Sequence, residues 1–110
     1  PEATRQGFAF NHPVITVGTT VHEGDLAAEM EGLSVLTPKV MLSGVKKAED
    51  GTGLILRLYE MTGEATSAQV RIAPWLAAAG SPAVETDLLE RALPESTAKM
   101  DGESADCGKE

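Results

Sequence analysis

His12 and His22 are the side chains that would be easiest to recognise as metal ligands, because imidazole nitrogen commonly binds zinc. They lie in different predicted loops, and neither belongs to a His-x3-His or His-Glu-x-x-His motif. The run His22-Glu-Gly-Asp25 could bring three ligands together. An acidic run of this kind is more typical of a solvated surface loop. The sequence therefore predicts no metal site.

Cys107 is the single cysteine of the chain. A reactive thiolate needs an ordered, electropositive pocket, whereas Cys107 lies in a polar stretch. The chain also lacks a Gly-x-Ser-x-Gly nucleophile turn and a glycine-rich phosphate loop. We expect no catalytic nucleophile and no cofactor.

Asp87 and Glu90 form an acidic pair whose spacing would place both on one face of a helix. Glycosidases use two carboxylates about 5 to 10 Å apart. Chance pairs are common among the 17 Asp and Glu residues, so helix capping or charge pairing is the favoured role. We interpret Asp87 and Glu90, together with Arg57 in a strand-like run, as structural charge positions.

Trp75 is the one tryptophan and the side chain best suited to stack on a sugar ring, because indole offers a large flat apolar surface. A lone Trp in a small domain more often fills the core or covers an edge. Trp75 is therefore a candidate contact for a sugar or a partner protein, and the structural alternative stays open.

The composition limits the class of protein. The 110 residues, 42% hydrophobic and 24% charged, are typical of one folded domain. The net charge of −8 disfavours binding to nucleic acid and to anionic membranes. One cysteine cannot form an intrachain disulfide, which favours a reducing, cytoplasmic location. No run approaches the roughly 20 apolar residues of a membrane span.

The elements that must position these residues are predicted to be strands. In residues 54–60, three leucines share one face of a strand and Arg57 lies on the other. Residues 68–72 alternate in the same way. Further strands are predicted at residues 39–45, 14–17 and, more weakly patterned, 7–10.

A β-hairpin is predicted over residues 42–60, because Asp50-Gly51 between two strand-like runs favours a tight reversal. Lys46 and Lys47 would lie near Glu49 and Asp50 at its tip. By residue type alone, residues 84–93 favour a short amphipathic helix. Residues 97–110 are polar and aperiodic, and they predict a disordered tail.

Three short stretches carry a resemblance to a known family: KKAEDG at residues 46–51, LRLYE at residues 56–60 and TDLLE at residues 86–90. In this order they resemble the C-terminal β-sandwich region of glycoside hydrolase family 38, the alpha-mannosidases. Residues 8–13 and 33–35 resemble the preceding strands of that region, so the similarity spans about residues 7 to 93. The resemblance implies that residues 84–91 are extended rather than helical.

Strand periodicity and the resemblance together predict an all-β fold. We expect an antiparallel β-sandwich, immunoglobulin-like or related, with about six or seven strands. The domain would span residues 1–96, followed by the polar tail at residues 97–110. The predicted core consists of Val40, Leu42, Leu54, Leu56, Leu58, Val70 and Ile72.

The resemblance also implies a function. In the family, the zinc ligands and the carboxylate nucleophile lie in a separate N-terminal catalytic domain, and none of those motifs occurs here. The chain is expected to be a non-catalytic domain that packs against a mannosidase catalytic domain, whether part of a longer chain or encoded separately. The alternative is a stand-alone carbohydrate-binding or protein-interaction module that uses Trp75.

One departure from the family concerns the end of the sequence. Family members continue into a further apolar strand after residues 97–103, whereas this sequence reads ADCGKE from Ala105. A missing strand would leave an unpaired sheet edge. We expect that edge to pair with a second copy of the chain.

Overall fold

A computed structural model describes residues 1–78, 80–101 and 104–107. The chain divides into two compact units, Pro1–Met30 and Glu31–Glu110. The elements, in chain order, are α1 (Glu2–Asn11), β1 (Leu33–Val35), β2 (Val40–Lys47), β3 (Leu54–Glu60), β4 (Ala68–Ile72), β5 (Lys99–Asp101) and β6 (Ser104–Cys107).

The first unit contains the helix α1 in place of the strand predicted at residues 7–10, so that prediction is wrong. A helix satisfies its backbone groups locally, whereas a strand needs a neighbour. Side chains one turn apart support the helix: Gln6 Nε2 donates to Glu2 Oε1 at 2.7 Å, and Phe8 stacks on His12 with ring centres 4.0 Å apart.

The strand predicted at residues 14–17 is also wrong, because these residues have no regular secondary structure. Val14, Ile15 and Val17 are almost fully exposed. Their β-branched side chains favour a strand only where neighbouring strands give them something to pack against.

The second unit is built from antiparallel strands and has no α-helix among its described residues. One sheet has four strands in the order β1-β4-β6-β5, and β2 and β3 form a separate two-stranded sheet. This architecture, mostly strand with little helix, is consistent with the predicted β-sandwich.

The predicted hairpin is confirmed by the pairing of β2 with β3. Its turn depends on Gly51, whose φ of +76° is unfavourable for residues that carry a Cβ. Asp50 Oδ1 accepts hydrogen bonds from the Thr52 amide and hydroxyl. Lys46 forms the expected ion pair with Glu49. A shift in register between Leu42 and Gly44 interrupts the ladder.

The buried core is smaller than predicted. Five described hydrophobic residues are buried: Val40, Met41, Ala68, Val70 and Ile72. The prediction is confirmed for Val40, Val70 and Ile72, whereas Leu42, Leu54, Leu56 and Leu58 are only half-buried. A two-stranded sheet has two open edges and few neighbours, so its side chains are only partly covered. Met41 was missed because the start of β2 is covered on both faces, and Tyr59 Oη donates to Met41 Sδ at 3.1 Å.

The predicted disordered tail is corrected by the structure. Residues 99–101 and 104–107 form β5 and β6, and β6 pairs with both β4 and β5. Backbone hydrogen bonds need no apolar periodicity, so a polar strand can complete a sheet. One edge of β4 is therefore paired with β6, in a stretch where the sequence predicted no strand. The part of the predicted tail at residues 102–103 and 108–110 lies outside the described residues.

Residues 84–93, called the strap below, form an extended loop closed by a tight turn. Thr86 and Ala92 make an isolated antiparallel bridge, and the Leu93 amide donates to Glu85 O at 2.8 Å. The helix favoured by residue type is wrong. The extended conformation implied by the family resemblance is found in the two arms of the strap, and a turn at residues 88–89 joins them. The reason is the pairing of the two arms of the strap, which residue type does not reveal.

Candidate functional site

A groove of about 550 Å³ lies between β3 and the strap. Its lining residues are Ser43, Ile55, Leu56, Arg57, Leu58, Thr86, Asp87, Leu88 and Glu90. The three charged positions identified separately in the sequence, Arg57, Asp87 and Glu90, are thus brought to one place. This groove is the candidate functional site of the domain.

Asp87 organises the turn of the strap. Its Oδ1 accepts from the amides of Leu89 and Arg91 at 2.9 and 3.0 Å, and its Oδ2 accepts from Arg91 Nε at 2.7 Å and Nη2 at 2.6 Å. The Arg91 side chain, followed by the backbone amides, holds the pKa of Asp87 below its ordinary value. Asp87 is therefore a structural anchor whose lone pairs are largely occupied.

Glu90 ties the strap to the tip of the hairpin. Its carboxylate pairs with Lys46 Nζ at 2.7 Å and accepts from the Glu49 amide at 2.7 Å. The hydrogen bond from Lys46, then that from the Glu49 amide, lowers the pKa of Glu90. Glu90 also has a φ of +63°, in the left-handed region that disfavours residues with a Cβ. The backbone at this position is strained, and the side chain contacts hold it there.

Arg57 differs from the two acids, because its side chain has no ion pair or hydrogen bond within the described part of the chain. It is exposed. Gly44 lies opposite it in the ladder, and a Cβ placed on Gly44 would come within 3.8 Å of Arg57 Cδ. The stem of Arg57 therefore lies over a position that carries no side chain, and its charge is available to a ligand.

The protonation states of the two acids bear on what the groove can do. A glycosidase general acid needs a raised pKa so that it holds a proton near neutral pH. The pKa values of Asp87 and Glu90 are both lowered. The groove thus presents two ionised, already paired carboxylates, an unpaired guanidinium and an exposed Leu88. Neither carboxyl group therefore suits the general-acid role.

Trp75 lies outside the groove, in the turn that follows β4. Its side chain is 60% exposed, yet part of the ring is covered: Cη2 and Cζ2 lie 3.1 Å from where a Cβ of Gly32 would be. The Ala73 amide donates to Gly32 O at 2.9 Å and holds the two segments together. Trp75 therefore combines the packing role and the exposed surface that the sequence left as alternatives.

The other candidate residues are not among those that line the groove. His12 Nδ1 is 2.9 Å from Phe8 O, and His22 Nδ1 is 2.7 Å from Thr20 O, both in the first unit. No group of three His, Cys, Asp or Glu side chains suited to a metal ion occurs in residues 1–78, 80–101 and 104–107. Cys107 belongs to β6. No helix in the described part of the chain is long and apolar enough to cross a membrane.

The sequence signals for the groove were incomplete. Lys46 was expected near the acids of its own turn, but its pairing with Glu90 joins segments far apart in the chain. No local pattern indicates such a contact. The only local indication of the strap was the resemblance carried by the TDLLE stretch.

Comparison with known proteins identifies the family. No curated protein and no solved structure matches the chain significantly. The family described as "Glycosyl hydrolases family 38 C-terminal beta sandwich domain" matches residues 39–106, which include the hairpin, β4, the strap and β5. The match covers well over half of the chain and confirms the resemblance carried by residues 46–51, 56–60 and 86–90. The chain therefore belongs to the C-terminal β-sandwich domains of family 38 glycosyl hydrolases.

Proposed function

We propose that this domain is a non-catalytic accessory β-sandwich of an alpha-mannosidase-like glycosidase and packs against the catalytic domain. The observation that carries the proposal is the family match to a C-terminal domain of glycosyl hydrolases. The paired, low-pKa carboxylates of the groove support a structural role for Asp87 and Glu90. The cytoplasmic location stays a prediction.

The surface most suited to a partner domain is the end of the strap. Leu88 and Leu89 are 86% and 72% exposed. Exposed large apolar side chains that cluster at one place often mark a protein contact. Asp87 fixes the turn that presents them, since it accepts from the Leu89 amide. Burying two leucines at an interface would contribute about 3 to 5 kcal/mol in area terms.

The accessory role is tested with a family 38 catalytic portion that lacks its own C-terminal sandwich. Added in trans, this domain is expected to co-elute with the catalytic portion and to raise its Tm. The double variant Leu88→Asp/Leu89→Asp should lose both effects, and Val14→Asp/Ile15→Asp should keep them. Zinc-dependent hydrolysis of a chromogenic mannoside by the domain alone would contradict the non-catalytic assignment.

A second candidate function is carbohydrate binding at Trp75, favoured by the exposed part of its ring. Stacking of a sugar should change the emission of the one tryptophan in a titration with manno-oligosaccharides. Trp75→Phe should retain weak binding, and Trp75→Ala should abolish it. Unchanged emission at millimolar sugar would exclude this function.

A further inference from the structure

The backbone of β3 has one edge committed to β2 and one edge open. The Ala48 amide donates to Gly53 O, and the Met61 amide donates to Lys39 O, at the two ends of the hairpin ladder. Backbone groups in a strand point alternately to its two sides. Residues 55, 57 and 59 therefore direct their amides and carbonyls toward β2, as the bond from Ser43 Oγ to Arg57 O also shows. Residues 54, 56, 58 and 60 direct theirs away from β2.

The groove lies along this open edge. Its lining includes four consecutive residues of β3, 55–58. A cavity on one face of a strand would touch alternate residues, because successive side chains point to opposite faces. Contact with four in a row means that the groove reaches the backbone of β3 as well as its side chains. Ser43 of β2 also lines it, so the groove extends over the face of the hairpin that carries Arg57. Among the described residues, β3 has β2 as its one strand neighbour, and the backbone groups of Leu56 and Leu58 have no partner.

The strap supplies the second wall of the groove, opposite the edge of β3. Thr86, Asp87 and Leu88 line that wall, and Glu90 holds it in place through Lys46. The space between is therefore a slot with unpaired backbone groups along one side and an apolar side chain at the rim. A two-stranded sheet is marginal in water and gains stability from a third strand.

We propose that this slot receives an extended peptide strand from a partner protein, which pairs with the open edge of β3 and places an acidic side chain beside Arg57. Backbone hydrogen bonds supply affinity in strand addition, and the flanking side chains supply specificity. Asp87 and Glu90 are paired with Arg91 and Lys46, so Arg57 is the charged lining residue left for the ligand. The groove is also apolar at three leucines, Leu56, Leu58 and Leu88. The peptide residues on either side of the acidic one should therefore be apolar. The inference specifies a partner surface for the accessory role and rests on that role.

The test measures amide hydrogen exchange by NMR with the peptide TVVEVVT, which carries one acid between apolar residues. At ten times its Kd, exchange at Leu56 and Leu58 should slow by about tenfold. The amides of Ile55 and Arg57 should change little, because they already point toward β2. No slowing at Leu56 and Leu58 at millimolar peptide overturns the proposal.

A charge exchange tests the role of Arg57. The substitution Arg57→Glu should reduce the affinity for TVVEVVT at least tenfold. The variant protein should bind TVVKVVT instead. Arg71→Glu, an exposed site on β4, should leave the preference for TVVEVVT unchanged. Equal binding of both peptides to the Arg57→Glu protein would overturn charge recognition at this position.

The same spectra distinguish other occupants of the slot. In the absence of peptide, amide exchange at Leu56 and Leu58 could also slow as the protein concentration rises. That result would show that a second copy fills the slot, and it would overturn the proposed occupant. The accessory role is measured separately, by the Tm of the catalytic portion. If that Tm rises while the peptide gives no protection, the slot proposal fails and the accessory role stands.

Discussion

At the residue scale, the charged side chains of the groove act mainly by holding backbone in place. Asp87 is bound by Arg91 and by amides of its own turn, whereas Glu90 is bound by groups of the hairpin. Sequence reasoning favoured a helix-capping or charge-pairing role for both acids, and in the structure Asp87 pairs with Arg91 and Glu90 with Lys46. It could not identify the partner of Glu90, because that contact spans 41 positions of the chain.

Stability should depend on pH through these acids. The pKa of Glu90 is lowered from 4.5 and that of Asp87 from 3.8. Because the folded pKa lies below the unfolded one, their contribution is complete above the ordinary values and is lost as pH falls through the folded values. A Tm series from pH 7 to pH 2 should therefore begin to fall below about pH 4.5.

The variant Glu90→Gln removes this ionisation and should flatten the acid part of the curve while lowering the Tm at pH 7. Glu23→Gln, in an exposed loop of the first unit, should leave the curve unchanged. Parallel curves for Glu90→Gln and the parent protein would contradict the role of the Lys46–Glu90 pair.

Gly32 sets the position of Trp75. A Cβ on Gly32 would lie 2.9 Å from Leu76 Cδ1 and 3.1 Å from the indole ring, so Gly32→Ala forces the ring outward. We expect a red shift of tryptophan emission and a loss of about 1 to 2 kcal/mol in the free energy of unfolding. Gly24→Ala, which has nothing within 4 Å, should change neither quantity. An unshifted emission spectrum would mean that Trp75 does not rest on Gly32.

At the element scale, the hairpin is the part of the fold that local sequence predicted best. Period-two alternation predicted β3, a strand-like run at residues 39–45 predicted most of β2, and Asp50-Gly51 predicted the turn. The strands predicted at residues 7–10 and 14–17 had similar local signals and did not form. A strand pattern indicates a local preference, and the strand forms only where a neighbouring strand pairs with it.

The turn of the hairpin can be tested at two glycines. Gly51 has a φ of +76°, so Gly51→Ala should cost about 1 kcal/mol of unfolding free energy. Gly53 has open space around it and no positive φ, so Gly53→Ala should be neutral or slightly stabilising. Chemical denaturation of both variants measures the difference, and equal stabilities would contradict the assigned turn.

At the scale of the whole molecule, a polar segment completes the four-stranded sheet. Residues 97–110 have no apolar period, yet β6 lies between β4 and β5. Its neighbour β4 carries the most buried side chain described, Val70, at 1% exposure. The core is small, so the sheet depends on every strand that covers β4.

Truncation after Ser96 should therefore remove cooperative unfolding, because it exposes the edge of β4 and the core beside it. Within the full chain, Val70→Ala should cost about 2 kcal/mol, and Val45→Ala, on an exposed face of β2, less than about 0.5 kcal/mol. Thermal unfolding followed by circular dichroism measures all three proteins. A cooperative transition retained after truncation would show that β6 is dispensable.

Local pattern was sufficient for the strands β2, β3 and β4, for the Asp50-Gly51 turn, and for the family, because each depends on residues close together in the chain. Four features depend on which distant segments of the chain come into contact: the groove, the pairing of Glu90 with Lys46, the polar strand β6, and the shallow burial of Leu54, Leu56 and Leu58. Such long-range contacts are governed by the entropy of chain closure and by competition for backbone hydrogen bonds. Neither produces a periodic pattern in the sequence.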